Sequence, residues 1–151
     1  MVRLVISGLP PYFVQVPRFA ITEPDFSELK AAVESEDVEK IRALVARYGN
    51  VNQRELPSQQ TALAVAAAGG HDASLQMLLV LGADANSADQ IGVTPLMNAV
   101  VAGDVTAARA LIASGANVIA TDKAGQSATL LAQEFRRDQI LRLLVSRQQR
   151  Q

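Results

Sequence analysis

Gly92-Val93-Thr94-Pro95-Leu96-Met97-Asn98-Ala99-Val100-Val101-Ala102-Gly103-Asp104 is the stretch on which the fold turns. Thr94 offers a hydroxyl acceptor at a helix N-cap, and Pro95 brings a pre-set φ and no amide hydrogen to the first helical position. The small and apolar residues that follow extend the helix until Gly103 breaks it, and Asp104 is placed to cap the next one. Downstream, Val105, Ala108, Leu111 and Ile112 recur at helical spacing, and Gly115 stands where a left-handed C-terminal cap is needed. The unit reads as helix, tight turn, helix and extended link.

The unit is copied. Thr61, Thr94 and Ser127 are spaced 33 residues apart, as are Gly82 and Gly115, Leu63 and Leu96, Gly70 and Gly103. Ala66, Ala99 and Ala132 keep the same interval, and so do Leu78, Leu111 and Leu144. Upstream the columns return at an offset of 34, with Ser27, Leu29, Ala32, Leu44 and Asn52 under Thr61, Leu63, Ala66, Leu78 and Asn86. The extra residue falls between Asn52 and Thr61, beside Pro57, where a loop absorbs it at small entropic cost. A pair of helices this short is marginal alone in water, so the units must stack to make a core.

These columns resemble the ankyrin repeat, whose pattern of about 33 residues joins a threonine-proline-leucine start, a glycine-histidine turn, paired leucines and a Gly-Ala-Asp-x-Asn close. The matches are Gly92-Val93-Thr94-Pro95-Leu96, Gly70-His71, Leu78-Leu79 and Gly82-Ala83-Asp84-Ala85-Asn86, within a resemblance that runs from about residue 25 to 148. It implies an all-α solenoid of stacked helix-turn-helix units with hairpin-like links, its copies spanning about 25–55, 56–88, 89–121 and 122–151. Three departures stand out. Ala64, Met97 and Leu130 replace the histidine that usually follows the leucine, so its bond to the threonine is expected to be absent. The first copy lacks the proline and a clean glycine close, and the last carries Arg136 in the glycine column. Both outer copies are expected to act as end caps with a polar outer face.

The resemblance also implies a protein partner gripped by the hairpin tips and the exposed side of the first helices, on a concave surface. Carried over column by column, the tips give Gln90, Ile91 and Val93, then Lys123 and Gln126. The helices give Ala68, Val101, Glu134 and Phe135. Ile91, Val93, Val101 and Phe135 are apolar where water is expected, and Gln60, Gln90, Asn98 and Gln126 rim them, which is the composition of a hot spot. Two function classes follow: an adaptor or inhibitory binding module, or a bacterial-type immunity or effector-associated protein that blocks a toxin or host protein.

Residues 1–24 fit no copy and read as an extended segment interrupted by Pro10-Pro11 and Pro17, without a signal-peptide core or membrane span. Either it is a partly ordered tail, or Tyr12, Phe13 and Phe19 pack on the first copy or along the groove.

Composition excludes much else. A net charge of -1 gives no nucleic-acid-sized positive field, and the arginines of the last copy lack interleaved aromatics. With no cysteine there is no disulfide, thiol nucleophile or zinc-thiolate site, which suits a reducing compartment and makes the cytoplasm the expected location. His71 is the single histidine and reads as a polar start to a second helix rather than a base or ligand. Glu34, Glu36, Asp37 and Glu39 read as a solvated face near helix starts. No phosphate loop, nucleophile elbow or zinc-protease helix occurs, so neither enzyme activity, a cofactor nor a small-molecule substrate is expected.

Overall fold

The computed structural model describes residues 26–150, and the predicted extended segment 1–24 lies outside the described residues. Eight helices follow one another there: α1 (Phe26–Glu34), α2 (Val38–Tyr48), α3 (Ala62–Gly69), α4 (Asp72–Val80), α5 (Pro95–Ala102), α6 (Val105–Ala113), α7 (Ala128–Glu134) and α8 (Asp138–Gln148). Consecutive pairs form four units, and among the described residues no strand is present beyond isolated bridges at Arg54 with Thr61 and Thr121 with Ser127.

The odd-numbered helices make one layer and the even-numbered helices the other, each helix packing on its pair-mate and on the same-layer helices of adjacent units. Side-chain size sets the spacing. Ala62, Ala64, Ala66 and Ala67 of α3, Ala99 of α5, and Ala128 and Ala132 of α7 are all buried, so the inner backbones approach closely. The outer helices supply the bulk, with Ile41, Leu75, Leu78, Leu111, Ile140 and Leu144 buried between the layers. One continuous apolar core runs from Phe26 to Leu144 through all the units. Inner helices therefore lie closer together than outer ones, and a groove opens between α4 and α6 beside Leu79, Val80 and Ala110.

Caps fix the helix starts as the residue types predict. Thr61, Thr94 and Ser127 each accept from the amide three residues on, at 3.3, 3.3 and 3.2 Å, and Asp37 and Asp104 do the same at 3.0 Å. Each such bond satisfies a donor that a helix start leaves orphaned. Where the usual histidine is missing, Thr61 meets Ser87 hydroxyl to hydroxyl at 3.0 Å inside the core. That buried pair gives the threonine a partner in the next link.

Three expectations need correction. Ser27 lies in the first turn of α1 rather than at its cap, because the helix includes the buried Phe26 before it. The first copy does close on a glycine: α2 runs longer than α4, and Gly49 ends it at φ +74°, its amide donating to Val45 O at 2.7 Å. The C-terminal end is not wholly polar either. Leu130 is 48% exposed although Met97 in the same column is 1% exposed, because among the described residues no further inner helix packs on α7 as α7 packs on α5.

The turns between paired helices demand a left-handed residue. Gly70 and Gly103 supply it at φ +70° and +75°, whereas Glu36 and Arg136 occupy it at +53° and +54°. An L-residue there carries a steric penalty that glycine escapes. Arg136→Gly is therefore expected to stabilise the chain by roughly 0.5–1 kcal/mol, seen as a Tm rise of about 2–4 °C in a circular-dichroism melt. An unchanged or lower Tm would show that the Arg136 side chain contributes more than its backbone costs.

The links are clipped to one another on both sides. Asn52 Oδ1 accepts from Asp84 N at 2.8 Å, while Asn86 accepts from the Asn117 amide and donates to Gly115 O at 3.1 Å. Ile119 takes that column in the third copy, so units 3 and 4 have no such rung.

Candidate partner-binding face

An aspartate organises each regular tip from within. Asp89 Oδ1 accepts from the amides of Ile91 and Val93 at 3.0 and 2.9 Å, and Asp122 Oδ1 accepts from those of Ala124 and Gln126, both at 2.9 Å. Side-chain acceptance of neighbouring amides closes a turn that needs no sheet partner. Successive tips are then joined backbone to backbone, Gln90 N to Ser58 O and Lys123 N to Ile91 O, each at 2.9 Å. Arg54 ties the first tip to the second by donating to Gln59 O at 2.9 Å and to Ala88 O at 2.6 Å.

In this stacking the Ile91 amide and carbonyl are both engaged while the residue stays 58% exposed. Val101, near the end of α5, and Phe135, at the end of α7, are each 42% exposed in adjoining units. Ala68, Gln90, Lys123 and Glu134 are also exposed. The remaining sequence-derived positions are half-buried: Gln60, Val93, Asn98 and Gln126. Val93 packs against the core rather than facing water freely, and the Asn98 side-chain amide points back to Ala64 O at 3.5 Å. The apolar content of the face therefore rests on Ile91, Val101 and Phe135.

Two apolar positions escape a column-based reading. Leu56 is 78% exposed in the first tip, in the column that Asp89 holds 33 residues later. Leu130 shares a column with the buried Ala64 and Met97 yet is 48% exposed, which only knowledge of what packs on α7 among the described residues reveals. Charge on the tips is largely spent within the fold: Arg54, Asp89 and Asp122 bond tip backbone and Lys30 pairs with Glu55 at 3.7 Å, while Lys123 and Glu134 are exposed.

His71 does start α4, but its side chain makes no cap bond. The ring instead lies against Gly69, where an added Cβ would run into Nε2, and Nδ1 sits 3.7 Å from Glu36 Oε1. Arg137 likewise begins α8 without capping it, and donates through Nη2 to Val101 O at 2.9 Å. Among the described residues no His, Asp and Glu side chains gather into a metal-binding group, and no helix is long and apolar enough to cross a membrane.

A family model for ankyrin repeats, in three copies, matches residues 63–151. The chain is also 33% identical over 96 residues to ankyrin repeat domain-containing protein 37 of Bos taurus, covering 64% of this chain and 61% of that protein. The Mus musculus protein of the same name is 33% identical over 95 residues, covering 63% and 60%. The match thus spans less than two thirds of the length of either relative.

Proposed function

The chain belongs to the ankyrin-repeat family, and from that premise we propose that it is a non-catalytic module which grips a protein partner on the face made by its tips and inner helices. The observation that carries this reading is the set Ile91, Val101 and Phe135, each large, apolar and more than two fifths exposed on adjacent units of a rigid stack. Apolar side chains of this size, rimmed by uncharged amides, are what a hot spot presents before its partner arrives. A stack of short links organised by backbone bonds also changes shape little on binding, which limits the entropic cost of association. The same reading places the protein in the cytoplasm, where a cysteine-free chain needs no oxidative folding.

The test is the double variant Ile91→Glu with Phe135→Glu, compared with the intact chain in affinity capture from native lysate and then in titration against the captured protein. Binding is expected to weaken at least tenfold, which corresponds to about 1.4 kcal/mol, with helical content unchanged. Affinity should depend little on salt. Steep salt dependence would point to a charged ligand such as nucleic acid and overturn the reading, as would undiminished binding by the double variant.

A further inference from the structure

Opposite in kind to the apolar face is the edge where the turns between paired helices stack. Three acids from three successive units meet there. Glu36, in the turn between α1 and α2, accepts from Ala73 N at 3.3 Å through Oε2 and faces His71 Nδ1 through Oε1. Asp104, between α5 and α6, spends Oδ1 on the Ala107 amide, and its Oδ2 lies over Gly70, 3.9 Å from where a Cβ would stand. Asp72 opens α4 between them, with its Oδ1 shut off from water and bonded to nothing.

The surroundings of Asp72 are one-sided. From neighbouring units the charges acting on it are those of Asp104 and Glu36, both negative. Its own element brings His71, which faces Glu36, and α3 contains no charged residue. Lys30 of α1 pairs with Glu55, and Arg137 of the fourth unit, which lies over Gly103, donates to Val101 O. A carboxylate in this position lacks a donor while a neighbouring unit presents an acceptor. One proton cures both faults.

We propose that this edge is a proton-operated clasp: protonated Asp72 donates to the Asp104 carboxylate, joining the second unit to the third, so the stack tightens as the pH falls. Burial first, then the hydrogen bond with Asp104 and the charges of Asp104 and Glu36, hold the Asp72 carboxyl above the usual carboxylate range. The folded chain therefore binds this proton more tightly than the unfolded chain. The stabilisation is complete below the ordinary carboxylate range and is lost as the pH rises through the raised value.

Thermal melts of the full chain between pH 4.5 and 7.5 test this, with Asp72→Asn and Asp104→Asn as variants. Asparagine at 72 supplies a permanent donor, and asparagine at 104 keeps a capping oxygen. The expected result is a wild-type Tm that rises on mild acidification, and an Asp72→Asn variant about 2–4 °C more stable than wild type at pH 7.5. The variant should also show a much smaller acid-induced rise. Asp104→Asn should flatten the wild-type profile too, and the two substitutions together should add up to less than their sum. If Asp72→Asn destabilises the chain at pH 7.5, or keeps the full acid-induced rise, the clasp does not exist. Should Asp72→Asn fail to fold, an unaltered pH profile in Asp104→Asn is enough to overturn it.

Discussion

Leu78→Ala is expected to destabilise the chain by about 3–4 kcal/mol, measured by urea unfolding at neutral pH. Leu78 is fully buried in the outer helix α4, and its column is held by Leu44, Leu111 and Leu144 in the other units. The inner helices facing it are built largely from alanine, so no flexible long side chain stands ready to swing into the space left behind. A cavity that cannot collapse costs both the lost transfer free energy and the lost dispersion contacts. Position along the stack adds to the damage. Units in a solenoid touch only their neighbours, and Leu78 lies in an interior unit on which both sides depend. A loss below about 1 kcal/mol would mean that the second unit is loosely packed and that the layered core is wrong.

Gly92→Val follows closely, with an expected cost of about 3 kcal/mol and loss of the bond between Lys123 N and Ile91 O. Two demands coincide at this residue. Its φ is +85°, a region that β-branched side chains enter only under strain. The next tip also passes so near that a Cβ would lie 3.1 Å from Asp122 Cα and 3.2 Å from Lys123 N. Backbone atoms cannot step aside as a side-chain end would. Amide hydrogen exchange at Lys123 should quicken more than exchange in α3, because opening begins at the displaced tip. Gly125→Val has the strain without the contact, since nothing lies within 4 Å of its would-be Cβ. Its cost should therefore be smaller, and equal losses at the two glycines would show that conformation alone matters.

The unit was legible because its signals are local. Thr94-Pro95 and Asp104 name their own jobs in consecutive residues, and both caps form as those residue types demand. Column periodicity then assigns Leu78, Leu111 and Leu144 to one seam without any knowledge of contacts. What sequence reasoning missed depends on which element lies across the way. Met97 and Leu130 share a column, yet one is covered and the other is not, because cover comes from the following unit. Val93 was read as exposed from its tip position, but a core neighbour claims it. His71 follows the capping column by type and leaves it in fact, since Glu36 from the previous unit offers a partner. Asp72 was invisible for the same reason: its neighbours Glu36 and Asp104 lie 36 and 32 residues away along the chain. For the proposed partner face, columns foretold the exposure of Ile91, Val101 and Phe135 but not that of Leu56 in the first tip.

The missing rung at Ile119 makes the solenoid an uneven beam. The first joint is held at the link edge by Asn52, and the second at both edges, by the bond from Gln90 N to Ser58 O on one side and by Asn86 on the other. The third keeps its tip bond and the brace from Arg137 to Val101 O, but has no asparagine beneath it. Opening along the link edge is therefore resisted least at the last joint, which carries Phe135 on its far side. A partner held as proposed on both Ile91 and Phe135 would bridge that joint and close what the missing asparagine leaves open.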